Sequence, residues 1–115
     1  MNATLYGIPN CDKCRAARKW FDAQDNRYTF HDLRADGISQ HAIAGWLKAA
    51  GSDALINKRS TTWRQLSDAE RARAESDPAG LLAANVTLIK RPLVQVGNEL
   101  VVGYDEQRWS ELLAR

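Results

Sequence analysis

The sequence predicts a single α/β domain in which a β-α-β unit, a long helical segment and a β-β-α unit follow one another. Short β-favouring runs lie near both ends of the chain, and the central segment has helical patterns without strand character. The length of 115 residues suits one compact domain with its own core. Because a β-α-β crossover makes its strands parallel and a hairpin makes its strands antiparallel, we expect a four-stranded mixed sheet.

The first β-α-β unit is predicted from residues 3–31. Residues 3–6 favour a strand, and the next four residues contain Gly7 and Pro9, which are typical of turns. A helix begins near Asp12, and its apolar residues are spaced to form one buried stripe: Ala16, Ala17, Trp20 and Phe21. Residues 27–31 alternate and are rich in aromatic and β-branched side chains, which predicts the second strand.

The central segment, from about residue 38 to residue 85, predicts helices only. One helix ends at Gly51, and the polar residues 57–60 predict a loop. Ser67 begins a capping-box spacing that opens a short charged helix, and Pro78 suits the first turn of the next one.

The last third of the chain predicts the β-β-α unit. Strand character returns at residues 86–89, and residues 93–96 and 100–102 form a hairpin around the turn at residues 97–98. Asp105 is placed to cap the N-terminus of a final amphipathic helix.

Composition excludes several classes of protein. Sixteen basic and fourteen acidic residues give a net charge of +2, too small to indicate nucleic acid as the main partner. Two cysteines cannot form a disulfide framework, and no apolar run approaches the roughly 18–20 residues that span a bilayer. The first residues have no basic region or hydrophobic signal core, so we expect a cytoplasmic protein that binds no membrane.

The cysteine pair is the most informative motif. Cys11 and Cys14 follow the first predicted strand and open the first predicted helix. A thiol at a helix N-terminus is stabilised as thiolate by the helix dipole and by backbone N–H groups. We expect Lys13 and Arg15 to lower the pKa of Cys11 further and Asp12 to oppose them. Cys14 lies one helical turn later, within reach of an intramolecular disulfide.

The cysteines, histidines, arginines and tryptophans also allow other interpretations. A structural zinc site needs four ligands, and His31 and His41 are too far apart to supply a paired histidine motif. Two inert buried cysteines are a second alternative. Arg59 lies in a polar loop and Arg91 directly precedes the proline of the hairpin, positions that favour anion binding over simple solvation. The four tryptophans are interpreted as packing residues.

A resemblance to a known family follows from motifs along the whole chain. The sequence resembles the arsenate reductase (ArsC)/Spx-like family, closest to its YffB-like branch, in five segments: Tyr6-Gly7-Ile8-Pro9-Asn10-Cys11-Asp12, Ala17-Arg18-Lys19-Trp20, Phe30-His31-Asp32, Asn57-Lys58-Arg59-Ser60-Thr61-Thr62-Trp63-Arg64 and Ile89-Lys90-Arg91-Pro92-Leu93. This resemblance implies a thioredoxin-like, glutaredoxin-type core at about residues 1–36 and 86–115 with a helical insert at about 37–85. It also implies a cis peptide bond before Pro92 that faces the cysteine, with Arg91 near the Cys11 sulfur.

The resemblance implies a thiol oxidoreductase that uses glutathione as co-substrate and needs no metal or organic cofactor. Cys11 is the implied nucleophile, and Cys14 is the expected resolving thiol. Substrate and anion binding are assigned to Asn10, Lys58, Arg59, Arg91 and Pro92. We expect a monomer whose partners are glutathione and a thiol or disulfide substrate.

Two alternatives come with the same resemblance. One is an arsenate reductase, but related enzymes hold the oxyanion with three arginines, and here only Arg91 is in register. Asn57 and the Gly103-Tyr104 stretch occupy the other two positions, so we expect weak or absent arsenate turnover. The other is an Spx-like regulator of transcription that binds RNA polymerase, since the spacing of Cys11 and Cys14 is the one that Spx proteins use as a redox switch.

Overall fold

The computed structural model describes residues 2–114 and contains four strands and seven α-helices within that range. The elements are β1 (Ala3–Gly7), α1 (Asp12–Asp22), β2 (Tyr28–Asp32), α2 (Gln40–Ala50), α3 (Ser52–Leu55), α4 (Thr61–Gln65), α5 (Asp68–Ser76), α6 (Pro78–Ala84), β3 (Leu93–Val96), β4 (Glu99–Val102) and α7 (Glu106–Leu113). A short 3₁₀ helix spans Val86–Leu88 between α6 and β3.

The four strands form one mixed sheet in the order β2-β1-β3-β4. β1 is parallel to β2, while β1 with β3 and β3 with β4 are antiparallel. Leu5 at the centre of β1 lies opposite Phe30 on one side and Val94 on the other. The predicted β-α-β and β-β-α units and their mixed sheet are therefore confirmed.

Helices α1 and α7 cover the same face of this sheet. Because side chains alternate along a strand, residues two apart in β1 and β3 share a face, and these residues form one core with the apolar stripes of both helices. Its buried members are Ala3, Leu5, Ala17, Phe21, Val94, Val96, Val101, Trp109 and Leu112. The Trp109 ring lies at its centre, with ring centroids 5.2 Å from Phe21 and 5.4 Å from Trp20.

The chain divides into two compact units. The first contains the residues up to Asp36 together with those from Arg91 onward, and the second is Gly37–Lys90. In the second unit, α6 packs against α2 and α5. Its helices begin where local side chains cap free N–H groups: Ser39 caps α2, Ser60 caps α4, Ser67 forms the predicted capping box of α5, and Asp77 caps α6.

The predicted strand at residues 86–89 is wrong. The first three of these residues form the 3₁₀ helix, in which the Leu88 N–H bonds to the Asn85 carbonyl. Ile89 forms only an isolated antiparallel bridge with Ile56, and the Lys90 N–H donates to the Leu55 carbonyl at 2.8 Å. These β-favouring residues therefore pair locally inside the second unit, although we expected the core of the first unit to resume near residue 86.

Within residues 2–114, no helix has both the length and the apolar character needed to cross a bilayer.

Candidate active site

Cys11 occupies the N-cap position of α1. Its backbone is extended, with φ −143° and ψ 123°, and its carbonyl accepts the first helical hydrogen bond from the Arg15 N–H at 2.9 Å. The turn that precedes it, with its glycine and proline, ends β1 and brings the chain to this point. The thiol is partly exposed and not in a disulfide, so reagents can reach it.

Cys14 is the third residue of α1, and its side chain is fully buried. It faces the end of β1, where Gly7 leaves room for it. A Cβ atom added to Gly7 would lie 2.6 Å from the Cys14 sulfur and 3.3 Å from the Cys14 Cβ. The Cys14 side chain also hydrogen-bonds to Cys11, so the two sulfurs are neighbours with very different exposure.

Arg91 and Pro92 come to the same place from the opposite half of the chain. The peptide bond between them is cis, as the resemblance implied. The Arg91 guanidinium hydrogen-bonds to Cys11, which agrees with our expectation that Arg91 lies near this sulfur. Pro92 is buried, and its carbonyl accepts a hydrogen bond of 2.8 Å from the N–H of Gly103.

The two thiols have opposite pKa shifts. Burial raises the pKa of Cys11, but the backbone N–H and side chain of Cys14 and the guanidinium of Arg91 together bring that pKa below its ordinary value. Burial also raises the pKa of Cys14 to about 11, and the adjacent Cys11 adds to the rise. At neutral pH the site therefore pairs a reactive Cys11 with a protonated Cys14.

The predicted direction of both pKa shifts is confirmed, and so is the predicted contribution of a backbone N–H at the start of α1, but the predicted cations are wrong. The cations expected to act on Cys11 were Lys13 and Arg15, whereas the cation that lowers its pKa is Arg91. Arg15 forms an exposed ion pair with Asp12 one turn along the helix and donates weakly to the Pro9 carbonyl.

The remaining predicted binding residues lie in two places. Asn10 is exposed and directly precedes Cys11. Lys58 and Arg59 belong to the second unit, in the turn before α4, where the Asn57 side-chain carbonyl accepts the Arg59 N–H at 3.1 Å. The Lys58 ammonium lies 5.5 Å from the centre of the Trp63 ring, and both basic residues are exposed. Their roles in binding remain predictions.

The histidines and the tryptophans can also be placed. His31 packs against Tyr6 with ring centroids 5.1 Å apart, and His41 is exposed on α2. In the part of the chain that the structure describes, no group of three or more His, Cys, Asp or Glu side chains could hold a metal ion. Trp46 and Trp109 are buried, in agreement with their predicted packing role.

Two glycines of the site were not predicted as site residues. Gly7 was treated as a turn residue and Gly103 as the end of the hairpin. Gly103 has φ +92°, a backbone conformation that suits glycine, and its N–H holds the Pro92 carbonyl. The sequence contains a pointer to Gly7, which lies in the same motif as Cys11, whereas Gly103 only follows the predicted hairpin.

This arrangement, with a partly exposed cysteine at the start of α1 beside a cis-proline hairpin, defines the thioredoxin-like class of thiol proteins. The chain belongs to the ArsC family, whose family model matches residues 6–112. It therefore has the fold shared by arsenate reductase-like and Spx-like thiol proteins.

Individual relatives cover nearly the whole chain. An uncharacterized protein of Haemophilus influenzae is 36% identical over 112 residues, which are 96% of this chain and 98% of that protein. The global transcriptional regulator Spx of Staphylococcus saprophyticus is 30% identical over 114 residues, covering 97% of this chain and 87% of the regulator. A solved structure named YffB superposes with a TM-score of 0.90 at 33% identity, covering 96% of this chain and 98% of its own.

Proposed function

We propose that this protein is a glutathione-dependent thiol oxidoreductase that reduces disulfides or mixed disulfides. The observation that carries the proposal is the pairing of two unlike thiols. Cys11 is partly exposed, hydrogen-bonded to Arg91 and lowered in pKa, while Cys14 is buried behind it and raised in pKa to about 11. One thiol is exposed enough to attack a substrate, and the other is shielded from solvent.

In the first step, the Cys11 thiolate attacks one sulfur of the substrate disulfide. A bond forms between Cys11 and that sulfur, the substrate disulfide bond breaks, and the second substrate sulfur leaves as a thiolate. The rate of such an attack depends on the thiolate fraction, so the hydrogen bond from Arg91 favours this step at neutral pH.

In the second step, Cys14 resolves the mixed disulfide. Once Cys11 is bonded to substrate it carries no charge, so the part of the pKa rise that Cys11 imposes on Cys14 disappears. Cys14 loses its proton to solvent and attacks Cys11. This releases the second half of the substrate as a thiolate and leaves a Cys11–Cys14 disulfide, which two glutathione molecules reduce as they become glutathione disulfide.

The basic residues are assigned to glutathione. Its two carboxylates need cationic partners, and charge-assisted hydrogen bonds to guanidinium groups are the strongest available. In this proposal Arg91, Lys58 and Arg59 bind anionic groups such as a glutathione carboxylate, and Asn10 and Pro92 position the substrate. No resident metal or organic cofactor takes part.

A trapping experiment tests this function. Cys14→Ser protein in lysate should accumulate covalent adducts at Cys11, including glutathione, that mass spectrometry identifies and that dithiothreitol releases. Cys11→Ser protein is the matched control and should capture no partner. Mild oxidation of the unmodified protein should give an intramolecular Cys11–Cys14 bond. If only glutathionylated or dimeric protein forms, Cys14 is not the resolving thiol and a one-cysteine mechanism replaces the one proposed.

A second candidate is a redox-sensing regulator. It is favoured by the 30% identity to a protein named global transcriptional regulator Spx across 97% of this chain, and the same pair of thiols would serve as its sensor. A pull-down with purified RNA polymerase separates the candidates. Retention that depends on the oxidation state of Cys11 and Cys14 favours the regulator, whereas no retention together with disulfide turnover favours the enzyme.

The proposal also places the protein in the cytoplasm as a monomer that binds neither nucleic acid nor membrane. Glutathione is abundant in a reducing compartment, and the net charge of +2 gives little attraction to polyanions. Size-exclusion chromatography of the reduced protein should give the mass of one chain, and a dimer would contradict this part of the proposal.

A further inference from the structure

We propose that Gly7 is a positioning residue that holds the Cys14 sulfur where it can resolve a mixed disulfide on Cys11. This inference rests on the proposed function and adds to it. It makes a residue of β1, which touches no substrate, responsible for the choice between an intramolecular disulfide and a persistent glutathione adduct.

The contact between Gly7 and Cys14 carries the argument. Cys14 is fully buried, so its sulfur fills space that neighbouring atoms define. On the side of β1 the boundary is the Gly7 backbone, because a Cβ at this position would stand only 2.6 Å from the sulfur. Gly7 is itself buried and is not among the glycines with positive φ. The Gly7 backbone would therefore accept alanine, but there is no room for the alanine side chain.

The easiest relief of that overlap moves the sulfur. The Cys14 Cβ would be 3.3 Å from the added methyl, a distance that a shift of a few tenths of an ångström relieves, whereas the overlap with the sulfur is much larger. Rotation of the thiol to another staggered position moves the sulfur by about 3 Å. A disulfide requires the sulfurs to approach to about 2.05 Å, so this rotation removes Cys14 from the line of attack on Cys11.

The chemical consequence follows from the fate of the mixed disulfide. With Cys14 in place, its thiolate attacks the Cys11 sulfur, the Cys11–glutathione bond breaks, the Cys11–Cys14 bond forms and glutathione leaves as a thiolate. With Cys14 rotated away, the adduct persists until a second glutathione attacks the glutathione sulfur. That attack releases the Cys11 thiolate and glutathione disulfide. Alanine at position 7 thus converts a two-cysteine route into a one-cysteine route.

The test compares Gly7→Ala with a matched glycine substitution. Gly45→Ala is the control, because a Cβ at Gly45 in α2 meets no atom within 4 Å. Each reduced protein receives glutathione disulfide, and acid-quenched samples are analysed by mass spectrometry for the adduct and the internal disulfide. We expect the rate of internal disulfide formation to fall on the order of tenfold in Gly7→Ala and to stay unchanged in Gly45→Ala. Equal rates in both variants would overturn the role of Gly7.

A second pair of variants separates positioning from general loss of structure. Gly7→Ala is placed in a Cys14→Ala background, where no sulfur remains to be displaced, and Cys11 alkylation at neutral pH is compared with that of Cys14→Ala alone. Rates within about twofold show that Gly7 acts through the Cys14 sulfur. A large loss would mean that Gly7 supports the site by packing only, and would overturn the inference. If unmodified protein forms no internal disulfide, the two-cysteine function fails as well, which is a distinct result.

Discussion

At the scale of single residues, the chemistry depends on a contact between opposite ends of the chain. Arg91 hydrogen-bonds to Cys11 and adds a positive charge beside its sulfur, so it favours the thiolate form. Arg15, four residues from Cys11, is instead paired with Asp12.

The role of Arg91 predicts the result of its removal. Arg91→Ala removes a hydrogen bond and a nearby positive charge from the Cys11 sulfur, so the pKa of Cys11 should rise. The thiolate fraction at pH 7 falls with it, and Cys11 alkylation by iodoacetamide should slow several-fold. The measurement is the rate of alkylation against pH. Arg59→Ala is the control and should leave the profile unchanged, while an unchanged profile in Arg91→Ala would contradict the assigned cause.

The burial of Cys14 gives a prediction of its own. Its side chain is fully buried and its pKa is raised to about 11, so the neutral thiol should predominate and stay shielded from reagents at pH 7–8. Native reduced protein should take up one alkyl group, at Cys11, and a second only after denaturation. Peptide mass spectrometry locates each label. Labelling of Cys14 at the rate of Cys11 would show that the roles are reversed.

At the scale of elements, the sequence predicted what local chemistry determines. The capping box at Ser67, the first-turn proline of α6 and the hairpin of β3 and β4 are encoded by neighbouring residues and are confirmed. The short helices α3 and α4 were not predicted. Both are brief, and α4 has no buried residue and therefore no apolar stripe to detect. The strand predicted at residues 86–89 is wrong because β-branched side chains also suit a short irregular connection.

In the candidate site, too, the features set by neighbouring residues were predictable, and the contacts between residues far apart in the sequence were not. The spacing of Cys11 and Cys14 and their place between a strand and a helix are local, so their positions were predictable from sequence. The contact of Arg91 with Cys11 was expected only through the family resemblance. The fit of Gly7 against Cys14 depends on how closely α1 approaches β1, a distance that no pattern in the sequence specifies.

The end of the hairpin supplies an element-scale prediction. Gly103 has φ +92° and donates its N–H to the Pro92 carbonyl. Alanine is disfavoured in this left-handed backbone by about 1–2 kcal/mol, so Gly103→Ala should lower the free energy of unfolding by roughly that amount. Urea denaturation followed by tryptophan fluorescence measures it. Gly45→Ala, at an exposed position in the middle of helix α2, should instead raise the free energy of unfolding by about 0.5–1 kcal/mol. A neutral Gly103→Ala would show that this conformation is not required.

At the scale of the whole molecule, the chain divides its proposed functional residues between two units. Cys11, Cys14, Arg91 and Pro92 lie in the unit formed by the two ends of the chain, and Lys58 and Arg59 lie in Gly37–Lys90. The first unit contains the thiol chemistry and the sheet that supports it. The second supplies an exposed basic turn whose backbone is ordered by Asn57 and Ser60.

Arsenate is an oxyanion, and a reductase must meet its negative charge with fixed hydrogen-bond donors and cations. The resemblance implies three arginines for this purpose, and Arg91 is the one in register. Asn57 stands in the place of the second, and its side-chain carbonyl accepts the Arg59 N–H. In the place of the third is the Gly103-Tyr104 stretch, where the Tyr104 hydroxyl donates to Glu106. Neither replacement carries a positive charge.

We therefore expect this protein to reduce a glutathionylated peptide while turning over arsenate weakly or not at all. The Cys11 thiolate attacks both substrates, so a difference between their turnover rates separates the effect of the oxyanion-binding groups from the reactivity of Cys11. Purified protein with glutathione, glutaredoxin and excess glutathione reductase would be followed by NADPH consumption, with Cys11→Ser as the blank for each substrate. Robust, Cys11-dependent arsenate turnover would contradict the argument. It would mean that one fixed guanidinium at the thiolate is enough to hold the oxyanion.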